Sequence, residues 1–248
     1  MWYTFTCKYI FDRISAIYKL QKMNNTGKAK PKDSLLCRRI LMSVLGVVLC
    51  GFSVGMFKFA ALGVDPFQTL MSGLDALIPI RFGTLYVIVS MVLILFAIVF
   101  DRTKIGIATL INLFFLGYIV EFSQDLWTRM LPGASLALRL LILLIAIVML
   151  CLASSLYFTA DLGVSVYDAV SLIWSQRQDK IKFAYCRIIS DLVCVVCGTA
   201  LLAMAGSGVS GIFANVGIGT IITAFFMGPL ITYFNIHIAQ PMLEEKND

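Results

Sequence analysis

An 18-residue apolar segment occurs twice in this chain. Ile105–Phe122 (IGIATLINLFFLGYIVEF) recurs as Val216–Tyr233 (VGIGTIITAFFMGPLITY), and seven of the 18 paired positions are identical. The seven include both glycines of the first copy, Gly106 and Gly117. Unrelated apolar segments would share fewer residues, so the chain is a duplication, and its two halves are expected to fold alike.

The composition is that of a membrane protein. Of the 248 residues, 60% are hydrophobic and 14% are charged, whereas soluble domains are about 45–50% apolar. Apolar runs of about 20 residues are typical of transmembrane helices. Five of the seven cysteines lie inside such runs, where they are expected to be apolar filler and not a disulfide framework. We therefore expect an all-α membrane protein.

Six apolar runs are predicted to span the membrane. Each half, at residues 35–122 and 136–234, follows the order span, break, short helix, span, span. Because three spans is an odd number, the second half must enter the bilayer upside down. This predicts two inverted three-helix repeats, each with a short helix after its first span. The predicted spans are Ile40–Leu62, Phe82–Phe100, Ile105–Phe122, Leu136–Thr159, Phe183–Met204 and a sixth that ends near Tyr233.

Both halves carry a Leu-Gly-Val break after the first span. In each half the glycine can close one helix, and a polar residue two positions later can cap the next. The first break continues as a D-x-x-Q capping box with proline at the first helical position, and the second as S-x-x-D. The break motifs comprise Gly63, Asp65, Pro66, Gly163, Ser165 and Asp168.

The distribution of positive charge predicts the orientation. Fifteen of the 20 Lys and Arg lie in the segments expected on one side of the membrane, and only Arg81 and Arg129 in those expected on the other. Basic residues favour the cytoplasmic side. We therefore expect the N-terminal segment 1–34 and the tail 235–248 to be cytoplasmic, in a bacterial plasma membrane.

Within the N-terminal segment, Trp2–Met23 can form a helix with lysines on one side and isoleucines on the other. This pattern is typical of a helix that lies in the membrane interface. The same stretch also fits a loose polar tail, or a start of translation at Met23.

Two charged residues share one face of the fifth span. Arg187 and Asp191 are four residues apart, and Asp191 lies about 12 Å into the span at 1.5 Å per residue. A charge that faces lipid at a helix centre costs about 2.5–3.5 kcal/mol, so the pair should face protein or water. The first-half counterparts, Tyr86 and Ser90, are neutral. The pair either lines a substrate path or locks the fifth span to its neighbours.

Three further polar residues are candidates for the same path or its gate. Lys58 lies near the outer end of the first span, Glu121 ends the third span, and Asn112 lies in its middle. The alternatives are that Lys58 snorkels to the interface, that Glu121 lies in the interface, and that Asn112 hydrogen-bonds between packed helices.

Several motifs together resemble the YczE/YyaS/YitT family of bacterial membrane proteins. They are the break LGVDPFQTLMSGL, the FG that opens the second span and the segment IGIATLINLFFLG. The resemblance covers about Arg38–Tyr233 and is stronger in the first half, since the second departs at Ser165–Tyr167 and Ala205–Ala214. It implies an integral inner-membrane protein of about this size and carries over no activity.

Inverted repeats with interrupted helices are typical of secondary transporters. We therefore expect a transporter or permease for a small solute; the alternative is a membrane scaffold or accessory subunit of a partner complex, because the spans carry few polar groups. An enzyme is not expected, since the single histidine, His237, follows the last span. The expected partners are the lipid bilayer, a small solute and a second copy or another membrane protein, with no nucleic acid, cofactor or metal.

Overall fold

The computed structural model describes residues 33–100, 105–163, 165–177 and 183–243, and none of these residues is in a β-strand. This confirms the all-helical prediction. The helices are α1 (Asp33–Ala60), α2 (Pro66–Leu77), α3 (Phe82–Phe100), α4 (Ile107–Met130), α5 (Leu136–Ala160), α6 (Val166–Arg177), α7 (Phe183–Met204), α8 (Gly208–Asn215), α9 (Ile218–Phe234) and α10 (Gln240–Leu243), with a π-helical turn at Asn235–Ala239 between the last two.

Four of these helices, α1, α3, α4 and α5, are long and apolar enough to cross a membrane. Two shorter apolar stretches, Ile188–Met204 and Gly208–Ala224, belong to α7, α8 and α9. Large apolar side chains also cover the outer surface; Val99, for example, is 75% exposed. In water such a surface would be strongly unfavourable. The chain is therefore an integral membrane protein.

Helix α1 is the centre of the molecule and packs against both α4 and α5. Glycines allow the close approach: a Cβ on Gly46 would lie 3.0 Å from the carbonyl oxygen of Ala153 in α5, and one on Gly51 would lie 2.6 Å from Ile119 in α4. The Ser53 hydroxyl donates a 2.6 Å hydrogen bond to the Ala146 carbonyl. In a medium without water, such hydroxyls must find a partner within the protein.

The predicted end of the third span at Phe122 is wrong, because α4 continues to Met130. Ser123 and the polar residues after it suggested a connector. In the structure Ser123 is fully buried, and its hydroxyl donates to the Phe52 carbonyl of α1 at 2.9 Å. The helix continues because a neighbouring helix satisfies the polar group, so the connector is short, at Leu131–Ser135.

The Gly/Ser-rich loop predicted at Ala205–Ala214 is also not a plain loop, because it contains most of α8. The candidate interfacial helix Trp2–Met23 lies outside the described residues, as do the four residues 101–104 between the second and third predicted spans.

Each short helix packs against the other half. Helix α2 of the first half packs on α7 of the second, and α6 of the second half packs on α3 of the first as well as on α7 of its own half. A Cβ on Gly73 of α2 would lie 2.6 Å from the carbonyl oxygen of Gly198 in α7. At the corresponding contact of α6 with α3, buried Ala97 packs against Ala169 and Ile173. The two halves are thereby interlocked.

Candidate functional site

The first break separates α1 from α2 by five residues, 61–65. Gly63 has φ of 106°, which a residue with a Cβ rarely adopts. Asp65 caps α2, since its Oδ1 accepts hydrogen bonds from the backbone N–H groups of Phe67 at 3.1 Å and Gln68 at 3.2 Å. Pro66 is the first residue of α2. The reciprocal bond expected from Gln68 is not made, because its Oε1 is buried without a hydrogen-bond partner.

The second break lies between α5 and α6, and its glycine has a similar backbone conformation. Gly163 has φ of 118°. The Ser165 hydroxyl accepts from the backbone N–H of Asp168 at 3.1 Å and donates to the Asp168 carboxylate at 2.6 Å. Helix α6 begins at Val166, where the first half has proline. Each short helix therefore starts with a side-chain cap.

Each break is bonded to the start of the repeated segment in the other half. The Leu62 carbonyl accepts from the Gly219 N–H at 2.9 Å, and the Leu162 carbonyl accepts from the Ala108 N–H at 3.1 Å. Leu62 corresponds to Leu162 in the two breaks, and Ala108 corresponds to Gly219 in the repeated segment. The two bonds are therefore equivalent under the sequence repeat.

These contacts explain the first glycine in each copy of the repeated segment. A Cβ on Gly106 would overlap the carbonyl oxygen of Leu162, and one on Gly217 would lie 2.5 Å from that of Leu62. Neither site has room for a side chain, because a backbone oxygen cannot move aside as a flexible side chain can.

A row of aromatic side chains joins the N-termini of the two short helices. Phe67 in α2 and Tyr167 in α6 are stacked, with ring centroids 4.9 Å apart and planes at 21°. They correspond to each other in the two breaks. Tyr86 of α3 meets Phe67 edge to face at 5.9 Å. We call these three residues the aromatic row.

Asp191 lies at one end of the aromatic row. The Tyr167 hydroxyl donates a 2.5 Å hydrogen bond to Asp191 Oδ1. Asp191 is half-buried on α7. Arg187 lies one turn earlier on α7, and its side chain is outside the described part of the structure.

Asn112 lies at the other end of the row. Its Oδ1 accepts a 3.3 Å hydrogen bond from the Tyr86 hydroxyl, and both residues are buried. Thr223, the counterpart of Asn112, instead bonds the carbonyls of Gly219 and Thr220 in its own helix, each at 3.0 Å. The structure thus joins Asn112 and Asp191 through three aromatic rings.

Lys58 and Glu121 lie elsewhere, at the start of α3. The Lys58 ammonium lies 3.2 Å from the centroid of the Phe82 ring. Glu121 accepts from the Gly83 N–H at 3.4 Å, and its other oxygen lies 3.8 Å from Arg81 Nε. These two residues form a charged cluster beside the aromatic row, since the Phe82 ring under Lys58 lies 6.4 Å, centroid to centroid, from Tyr86 of that row.

Asp75, near the end of α2, belongs to the electrostatic surroundings of that cluster. Desolvation raises the pKa of its carboxyl, the positive charge of Lys58 opposes the shift, and the negative charge of Glu121 adds to it.

The aromatic row was not predicted from the sequence, although a signal was present. Phe67 and Tyr167 follow the two breaks at equivalent positions, so the repeat could have singled them out as a pair. Their stacking depends on how the halves interlock. Within the described residues, no group of three His, Cys, Asp or Glu side chains is placed to hold a metal ion.

Comparison with known proteins assigns a family. Residues 37–236 match the model of a family of unknown function, DUF6198, and the chain belongs to that family. It is also similar to the uncharacterized protein YyaS of Bacillus subtilis, with 23% identity over 204 residues, which cover 81% of this chain and 91% of YyaS. No solved structure matches. The sequence motifs suggested a resemblance to the YczE/YyaS/YitT family. The comparisons include YyaS, and they do not test the resemblance to YczE or YitT.

Proposed function

We propose that this protein is a transporter for a small solute, with six membrane spans arranged as two inverted repeats. In this proposal both termini are in the cytoplasm and the solute site lies along the aromatic row. The three spans of each half are α1, α3 and α4, and α5, α7 and α9. No enzymatic step is part of the proposal.

The equivalent contacts at the two breaks support the inverted arrangement. Leu62 binds Gly219 as Leu162 binds Ala108, and each short helix packs on the second span of the other half. Such reciprocal contacts are what a two-fold relation between the halves would produce. An odd number of spans in each half makes the axis lie in the membrane plane.

The observation that carries the transport proposal is the stack of Phe67 on Tyr167 with Asp191 attached. Solute sites of inverted-repeat transporters lie at the interface of the repeats, where discontinuous helices begin. The row lies where both short helices begin, and it offers aromatic faces, a carboxylate at Asp191 and an amide at Asn112. The rings are in contact, so a solute would have to separate them in order to pass.

Thermal unfolding of the detergent-purified protein against a library of small solutes tests this proposal. We expect at least one solute to raise the melting temperature of the native protein but not of the Asp191→Asn variant. The matched control is Asp125→Asn, which makes the same change at an exposed position of α4 and should respond like the native protein. A solute that stabilises all three proteins equally would place its site away from Asp191, and no response from the native protein would contradict the transport proposal.

The second candidate function is a scaffold or accessory subunit. It is favoured by the way the polar groups of the row bond to each other, Tyr86 to Asn112 and Tyr167 to Asp191, since such bonds can simply stabilise the interior. A scaffold should copurify with a membrane partner or a second copy of itself after mild solubilisation, and Asp191→Asn should leave that association intact.

A further inference from the structure

A cavity of about 220 Å³ lies where three of the apolar helices end. Lys58 is in the last turn of α1, Thr128 is close to the end of α4, and Arg139 is in the first turn of α5. A water molecule takes about 30 Å³ in the liquid, so the space holds a group much larger than a single water.

The lining of this cavity is basic. Two basic residues, Lys58 and Arg139, and two polar ones, Gln124 and Thr128, line it. The Lys58 ammonium lies over the Phe82 ring, which is not a lining residue, so a ligand in the cavity would share it with that ring. Among the described residues that line it, none is an aspartate or a glutamate. Asp65, Asp75 and Glu121, whose charges act on Lys58, are not lining residues. The rest of the lining is mostly apolar, from Phe59, Ala61, Leu131 and Pro132. A cavity that has two basic side chains and no carboxylate among its lining residues favours an anionic occupant.

The backbone around the cavity orients Arg139. Its Nε donates a 3.2 Å hydrogen bond to the Ala134 carbonyl, and the side chain is half-buried. The turn before it needs Gly133, which has φ of 71° and also lines the cavity. An arginine held in this way presents a planar fork of N–H groups, which matches the oxygens of a phosphate.

The ends of transmembrane helices lie at the depth of the lipid headgroups. A basic cavity at that depth can be reached by the phosphate groups of neighbouring lipids and by soluble anions in the water. We propose that this cavity is a phosphate-binding site, in which Arg139 and Lys58 hold either the headgroup of an anionic phospholipid or a free phosphate ion. The proposal requires a membrane protein but does not depend on transport.

The test uses the full chain, purified in detergent and stripped of lipid. Its thermal unfolding is followed with added phosphatidylglycerol, with added phosphatidylcholine, and separately with inorganic phosphate against chloride at equal ionic strength. Arg139→Gln removes one cation of the site. Arg129→Gln is the matched control, because Arg129 is exposed in the last turn of α4 and is not among the lining residues.

We expect the native protein and Arg129→Gln to be stabilised, and Arg139→Gln to need about tenfold more ligand for the same shift, as for the loss of one charge-assisted hydrogen bond. Stabilisation by phosphatidylglycerol but not by phosphate would identify a lipid headgroup, and stabilisation by phosphate would identify a soluble anion. The proposal would be overturned if neither phosphatidylglycerol nor phosphate stabilised the native protein. It would also be overturned if Arg139→Gln responded to them as the native protein does.

If Arg139→Gln does not fold, Lys58→Gln takes its place in the same assay. Native mass spectrometry of the unaltered protein gives an independent measurement. Retained phosphatidylglycerol, in excess of phosphatidylcholine from an equal mixture, would support the site. Equal retention of the two lipids together with no response to phosphate would overturn it.

Discussion

The two breaks are the regions in which the halves of this protein agree most closely. Ala61 and Asp161 adopt φ of 54° and 53°, and Gly63 and Gly163 adopt φ of 106° and 118°. A left-handed non-glycine residue is uncommon, and here it recurs at equivalent positions of both halves. The hydrogen bonds of Leu62 to Gly219 and of Leu162 to Ala108 join backbone groups alone. The comparison indicates that positions where two backbones meet have the same geometry in both halves.

The side chains around the breaks have diverged instead. Where the first half has Phe67, the second has Tyr167, and where the first has buried Ser90, the second has Asp191. The two differences belong together, because the hydroxyl found only in the second half donates to the carboxylate found only in that half. One end of the aromatic row is therefore charged, and the other is a neutral amide.

The largest effect is expected from Gly106→Ala, because the added methyl group would overlap the Leu162 carbonyl. Gly217→Ala meets the equivalent carbonyl at 2.5 Å and should be less harmful. We expect Gly106→Ala to lower the free energy of unfolding by about 3 kcal/mol or more, and Gly217→Ala by about 2 kcal/mol. Denaturant titration in detergent measures both. Gly133→Ala, at positive φ but in open space, should cost only about 1 kcal/mol. Equal losses for Gly106→Ala and Gly133→Ala would remove the steric argument.

The next largest effect is expected where the short helices pack on the other half, because α2 packs against a glycine of α7 and α6 packs against an alanine of α3. Gly198→Ala would place a methyl group 2.6 Å from the Thr69 carbonyl of α2, and we expect it to cost about 2 kcal/mol. The equivalent position in the first half is Ala97, which is fully buried beside α6. Ala97→Gly should cost about 1 kcal/mol. The same unfolding measurement compares them, and a harmless Gly198→Ala would show that α2 does not need the close approach to α7.

Removal of one hydroxyl tests the charged end of the row. Tyr167→Phe keeps the stacked ring but removes the hydrogen bond to Asp191, so it should cost about 1.5 kcal/mol. In the double variant with Asp191→Asn the two losses should not add, because the residues are in contact. A thermodynamic cycle of the four proteins measures the coupling, and strict additivity would mean that the bond contributes nothing to stability.

The smallest effect is expected at the caps of the repeated segment. The Thr109 hydroxyl accepts from the Gly106 N–H at 3.2 Å, and the Thr220 hydroxyl accepts from the Gly217 N–H at 3.3 Å. Thr109→Val and Thr220→Val should each cost about 1 kcal/mol. Similar losses of unfolding free energy would agree with equivalent roles of Thr109 and Thr220. A loss at only one of them would show that the two helix caps are not equivalent.

Much of the fold could be predicted because its signals are local. The break after α1 has a glycine, a capping aspartate and a proline in sequence, and each acts within one turn of the helix. The predicted end of the third span failed for a non-local reason. Ser123 looks like a polar terminator in the sequence, and only the Phe52 carbonyl of another helix makes it compatible with a buried position.

The candidate site was harder to predict than the fold. Asp191 was singled out by its charge in an apolar run, but its partner Tyr167 lies on a different helix and carries no charge. Lys58 and Glu121 were placed with Asp191 on one path, which stays a prediction; the structure puts both at the start of α3, next to Tyr86 of the aromatic row through the Phe82 ring. Polar residues within apolar runs can be picked out from a sequence. Which of them contact each other depends on how the helices pack.

The inverted relation of the two halves is the central claim, and the sidedness of two equivalent helix ends tests it most directly. Met130, 63% exposed at the end of α4, and Met242, 45% exposed in α10, lie near equivalent ends of the two halves. Each is replaced by cysteine in a chain freed of its seven native cysteines, and intact cells are treated with a membrane-impermeant maleimide. The account predicts labelling of Met130→Cys from outside, and of Met242→Cys only after the cells are permeabilised. Labelling of both from the same side would contradict it.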